Sequence, residues 1–168
     1  MPNPPVDNRD ISVNITDGTN PVKGATVSIG TITGTTGNAG GCTLKNVTDG
    51  EQTINVTALG FEDKTSTITV SEDNTSFNIA LTRIVYDFTS YDSETKDTEW
   101  GSGTAILTGE VSGDYTEIEV LTNTEPEFVG NKYFIVSNAE TDGTTVYQLY
   151  TDAGTTGAGI YVTISIHE

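Results

Sequence analysis

The chain has 168 residues, of which 34% are hydrophobic and 18% charged, and carries a net charge of −17. That acidity argues against nucleic acid and anionic membrane surfaces as partners, and no apolar run approaches the length of a membrane span. A single cysteine and a single histidine leave too few ligands for a zinc site of ordinary His/Cys make-up and none for an internal disulfide. The length allows one large or two small domains.

Met1-Pro-Asn-Pro-Pro-Val-Asp-Asn8 lacks the basic-plus-apolar pattern of a signal peptide. Its prolines favour an extended arm over residues 1–9, either a free tail or a segment docked on a neighbouring subunit. Ile11, Val13 and Ile15 alternate with polar residues, which predicts a half-buried strand closed by the Asp17-Gly18 turn. Further strands are predicted near Thr26–Ile32, Cys42–Val47, Thr53–Ala58, Thr65–Val70 and Ser76–Leu81, with turn-rich intervals between them. The glycines from Gly34 to Gly41 read as positive-φ positions of a loop. Asp49-Gly50 reads as a hairpin turn. This strand spacing is that of a small antiparallel β-sandwich over residues 10–83.

Composition changes near Thr82-Arg-Ile-Val85. Residues 1–83 hold nine acids and five bases, a net of −4; residues 84–168 hold fifteen acids and two bases, a net of −13. All seven tyrosines and the single Trp100 lie in the second part. That part is also β: Val85, Phe88 and Tyr91 open it, Glu117-Ile-Glu-Val120 alternates cleanly, and Lys132–Val136 is a continuous apolar run suited to a buried strand. Val146–Tyr150 and a final strand with Ile160, Val162, Ile164 and Ile166 on one side complete it. The fold class is therefore all-β, with two small antiparallel domains.

Pro21-Val-Lys-Gly24-Ala25-Thr-Val27, then Thr36, Gly40 and Leu44, then Gly50, Ile54, Val56, Gly60 and Phe61 form a constellation that resembles the carboxypeptidase regulatory-like domain, a transthyretin-like, immunoglobulin-like sandwich. The resemblance spans Asp10 to Leu81, about half of the chain. Gly37 stands where that family has an acidic residue, and Cys42 and Gln52 stand where it has aromatics. These motifs are structural, so the resemblance implies a fold and a non-catalytic appendage or surface module. Related pilin and adhesin domains form a Lys–Asn isopeptide bond beside a buried Glu. Here Ile11–Thr16 contains no Lys, and Val56 and Thr57 occupy the position of that Glu, so no such cross-link is expected.

The chemistry-bearing residues are few. Cys42 lies where a core residue is expected and reads as a buried thiol. His167 is one residue from the end, a poor base for a triad. Gly-rich runs feed strands rather than helices, which excludes a phosphate loop. Asp92, Glu94, Asp97 and Glu99 form an acidic segment whose oxygens suit calcium, or equally a solvated surface; Glu125 and Glu127 flank Pro126. Tyr91, Trp100 and Tyr115 lie near Gly-rich turns and could stack on a sugar, or complete a core.

The expected protein is non-catalytic and free of cofactors apart from the calcium alternative. The resemblance implies domains of the extracellular surface type, yet no leader is read at Met1 and no anchor after the final strand; this mismatch leads to the expectation of a product made in the host cytoplasm and used outside the cell. A bacteriophage structural protein, decorating the capsid or forming a head fibre, fits that expectation. Its partners would be capsid or other virion proteins and a host-surface glycan, with no nucleic acid and no membrane, and its copies could form homo-oligomers. The alternative is a secreted adhesin or carbohydrate-binding module of a cell-surface protein.

Overall fold

A computed structural model describes residues 7–92, 101–112, 115–139, 145–150 and 160–166. The chain divides into two compact units, Met1–Arg83 and Ile84–Glu168.

The first unit has seven strands: β1 (Asn8–Thr16), β2 (Thr26–Ile29), β3 (Ile32–Thr35), β4 (Gly41–Thr48), β5 (Gly50–Thr57), β6 (Lys64–Val70) and β7 (Ser76–Ala80). They form two sheets, ordered β4-β1-β7 and β3-β2-β5-β6. The two-residue side-chain period of a strand places one apolar row from each sheet inside. Ile11, Val13 and Ile15 of β1, Leu44 and Val47 of β4, Val27 of β2, and Ile54 and Val56 of β5 are all essentially inaccessible to solvent. Burial of this kind contributes roughly 1.5–3 kcal/mol per side chain and accounts for the alternation visible in the sequence.

Three local expectations are corrected. The segment expected as one strand over Thr26–Ile32 breaks at Gly30, which adopts φ +55°, into the β2–β3 hairpin with Ile29 opposite Ile32. Asp49-Gly50 is not a hairpin turn, because β4 and β5 belong to different sheets. Its conformation comes from Arg9, whose Nε donates to both Asp49 carboxylate oxygens at 2.8 and 3.0 Å, and from Gly50 at φ +107°. This ion pair ties the crossing chain back to β1. Of the loop glycines between Gly34 and Gly41, only Gly40 has a positive φ. One strand pair also departs from the antiparallel pattern: β7 runs parallel to β1, with Ser12 opposite Ser76 and Thr16 opposite Ala80.

The second unit is a closed barrel of six antiparallel strands. These are β8 (Tyr86–Asp92), β9 (Ser102–Ser112), β10 (Tyr115–Asn123), β11 (Lys132–Ala139), β12 (Thr145–Tyr150) and β13 (Ile160–Ile166). Each strand pairs with the next in sequence, and β13 returns to β8, with Ile166 opposite Tyr86. Closure removes sheet edges. Ile118 sits between Leu107 and Tyr133 in the cross-strand register, and Val120 faces Ala105. With Ile135 they form the described core. Lys132–Val136 was expected to form a buried strand; in β11 Tyr133 and Ile135 are buried, while Phe134 between them is half-buried. A barrel strand has one interior face only.

Pro126–Phe128 is a 3-10 turn, and the Phe128 and Tyr133 rings pack at 6.3 Å. Among the described residues no helix is long and apolar enough to cross a membrane.

Candidate functional site

The sequence motif around Pro21 is held together by one buried hydroxyl. Thr36 Oγ1 donates to the Val22 carbonyl at 2.7 Å and accepts the Ala25 N–H at 2.9 Å. Its backbone bonds Gly24 and Ala25 as well. Thr36 is only 4% exposed, so a methyl in place of the hydroxyl leaves a buried donor and a buried acceptor unpaired. Thr36→Val is expected to destabilise the first unit by about 2–3 kcal/mol, as each orphaned group costs about 1–3; denaturant titration followed by circular dichroism measures it.

A second polar anchor lies at the other end of the motif. Arg83 bonds Asp17 Oδ2 at 3.3 Å while its guanidinium lies 4.6 Å from the centre of the Phe61 ring. The backbone N–H groups of Asn20 and Thr19, and then Arg83, hold the Asp17 carboxyl below its ordinary range. In the barrel, the Thr108 hydroxyl at 2.6 Å and then Lys132 at 2.9 Å do the same for Glu117. A carboxylate whose folded pKa is depressed gives stability that is full above its unfolded pKa and is lost as pH falls through the folded one. The melting temperature is therefore expected to be level above about pH 5 and to fall below about pH 4, and Glu117→Gln should flatten the acid limb of the barrel's transition. Thermal melts between those limits check the sign.

The outer face of the β4-β1-β7 sheet is open to solvent. Ser12 and Asn14 from β1, Gly41 and Thr43 from β4, and Ser76 and Asn78 from β7 line a shallow groove of about 410 Å3. Asn14 Nδ2 donates to Asn78 Oδ1 across it at 3.4 Å. All six residues are uncharged, in a chain of net charge −17. This surface was not singled out in the sequence, because it exists only once the sheet order is known. Cys42 lies beside it, half-buried, and burial pushes its thiol pKa up, which opposes a nucleophilic role.

The residues named from sequence lie in the barrel. Asp92 ends β8 opposite Ile160, and Tyr91 pairs with Tyr161. Tyr115 opens β10 opposite Ser112, the last residue of β9. β8 meets β9 at its start, where Thr89 pairs with Ser102. β9 separates the strands of these two tyrosines on one side of the barrel, and β11, β12 and β13 separate them on the other. Glu94, Asp97, Glu99, Trp100 and His167 lie outside the described residues. Among the described residues no group of three or more His, Cys, Asp or Glu side chains could hold a metal ion.

The paired sheets, the parallel β1–β7 contact and the Thr36 post define the first unit as a transthyretin-like, immunoglobulin-like sandwich. The family profile of the CarboxypepD_reg-like domain matches residues 11–90, which supports the resemblance of the first unit to that domain. No curated protein matches the chain. Among solved structures the chain is similar to fervidolysin from Fervidobacterium pennivorans, a keratinolytic enzyme related to subtilisin. The identity is 16% and the TM-score 0.41, over 98% of this chain and 31% of that one. The Bacillus anthracis TIE protein is similar at 11% identity and a TM-score of 0.40, over 95% of this chain and 44% of that one. The chain thus spans less than half the length of either structure, and at these TM-scores neither likeness bears on activity.

Proposed function

We propose that the protein is a non-catalytic structural component of a bacteriophage particle, of the capsid-decoration or head-fibre type. In this reading the first unit seats the neutral groove on the outer face of its β4-β1-β7 sheet on a capsid or other virion protein. The second unit, with its net charge of −13 over residues 84–168, projects and keeps neighbouring copies apart. The observation that carries the proposal is the contrast between this neutral groove and the net charge of the second unit. Ser12, Asn14, Thr43, Ser76 and Asn78 are short, neutral and hydrogen-bonding, so a partner can cover them without stripping water from a charge. Many copies on a symmetric shell would also turn weak contacts with a host-surface glycan into useful avidity.

A secreted adhesin or carbohydrate-binding module is the second reading. The same hydroxyl and carboxamide groups are suited to hydrogen-bonding a sugar, and the CarboxypepD_reg-like domain is compatible with a surface module. Mass spectrometry of gradient-purified particles from producing cells distinguishes the two. Recovery of the chain with the particles, in fixed ratio to the capsid protein, supports the virion reading. Absence from particles, with recovery in the secreted or envelope fraction, overturns it.

A further inference from the structure

The sandwich is closed along one side and open along the other. On the closed side β3 runs against β4: a Cβ added at Gly34 would stand 2.9 Å from Leu44 Cδ2 and 3.5 Å from Cys42 Sγ. On the open side β6 and β7 are the edges of different sheets. A groove of about 480 Å3 lies along them, lined by residues that include Ser66 and Ile68 from β6 and Phe77 and Ile79 from β7. Ile68 and Phe77 pack against the core yet are only partly buried.

The hydrogen bonds of β7 fix which of its groups are free. At the two ends of the parallel ladder, the Ser12 N–H donates to the Thr75 carbonyl and the Leu81 N–H donates to the Thr16 carbonyl, both at 2.8 Å. Alternate residues of a strand face the same neighbour. Thr75, Phe77, Ile79 and Leu81 therefore turn their backbone groups to β1, and Ser76, Asn78 and Ala80 turn theirs to the open edge. No strand among the described residues pairs with that edge.

Natural sheet edges are blunted by charge, proline, bulges or cover. β4 carries Lys45, a left-handed Asn46 and a register shift in its pairing with β1. β6 opens on Lys64. β7 reads Ser-Phe-Asn-Ile-Ala, with no charge, no proline and an unbroken register. The short edge β3 is likewise uncharged but runs against β4, so among the described residues β7 is the uncharged, unbroken edge on the open side.

We propose that β7 pairs with β7 of a second copy, antiparallel, about a two-fold axis through Asn78. The strand is self-complementary in that register. Ser76 faces the partner's Ala80 and Asn78 faces its own copy, and these are the residues whose backbone groups are free, so each pair exchanges both bonds. Phe77 faces the partner's Ile79 on the inner face, where the two apolar side chains cover each other and shelter Ile68. β7 itself carries no charge, so the paired strands place no like charges directly opposite each other. The two β4-β1-β7 sheets then become one continuous sheet. This inference stands on the edge geometry alone and is independent of the virion reading.

The test uses the full chain and substitutions at Asn78, whose side chain is exposed. Sedimentation equilibrium is expected to show a dimer for the unaltered chain. Asn78→Lys and Asn78→Glu each place like charges directly opposite at the axis, and each should weaken the dimer about tenfold or more, with the circular dichroism spectrum unchanged. An equimolar mixture of the two variants should restore the dimer, which a misfolded variant could not do. A monomeric unaltered chain, or a dimer that persists in both variants, overturns the proposal.

Discussion

Gly40→Ala is expected to destabilise the first unit by about 3–5 kcal/mol. Gly40 adopts φ +75°, and a Cβ there would meet the Ile15 carbonyl oxygen, with Pro21 Cβ at 3.0 Å. The Gly40 carbonyl accepts the Ile15 N–H at 2.8 Å, so the loop cannot back away without breaking that bond. The left-handed conformation alone costs an alanine roughly 1–2 kcal/mol; the overlap with backbone adds the rest. Ile15 and Pro21 belong to the strand and the motif that Thr36 pins, so the displacement reaches the centre of the sandwich. Peptide-resolved hydrogen exchange on the full chain should show faster exchange across β1 to β7. Exchange rates in those strands equal to the unaltered chain would contradict this reading of the loop.

Gly103→Ala is expected to have an effect of similar size on the barrel, about 3–5 kcal/mol. β10 crosses β9 so closely at this point that a Cβ on Gly103 would overlap the Thr122 carbonyl. The neighbouring bonds show that the approach is bound in place. The Thr104 N–H donates to Thr122 Oγ1 at 3.1 Å, the two hydroxyls lie 2.7 Å apart, and the Ser102 N–H donates to Thr124 Oγ1 at 3.1 Å. A methyl group must therefore break this ladder or shift β10, which carries Ile118 and Val120 into the core. Faster exchange in β9 and β10 with the first unit unaffected is the expected pattern, and retention of native exchange there would refute the close approach.

The strands were legible in the sequence because burial of one face imposes a period of two. Ile11, Val13 and Ile15 show it, as do Ile118 and Val120. The Pro21–Phe61 constellation was legible for a different reason: Gly24, Thr36 and Gly40 answer to specific backbone demands, a positive φ or a buried hydrogen bond. Sheet membership was not legible. Asp49-Gly50 has the composition of a hairpin turn, yet Arg9, forty residues away, holds it as a crossing between sheets. Closure of the barrel was hidden likewise, since the β13–β8 pairing joins the two ends of the unit.

The same limits governed the candidate sites. Tyr91 and Tyr115 lie on β8 and β10, and which strands flank them follows from barrel closure, which no local pattern announces. The neutral groove and the bare β7 edge draw residues from β1, β4 and β7, which are distant in sequence. No local pattern marks Ser12, Thr43 and Asn78 as one surface; only the β4-β1-β7 order does.

The proposed function is tested most directly by counting bound copies. Purified chain is titrated onto isolated phage capsid shells stripped of accessory proteins, the shells are pelleted, and the chain in the pellet is measured. Saturation at a fixed number of copies per capsid subunit, lost when Ser12 and Thr43 in the neutral groove are replaced by Glu, is the predicted result. No co-sedimentation, together with retention of the chain on immobilised glycans, would contradict the virion reading and favour the adhesin.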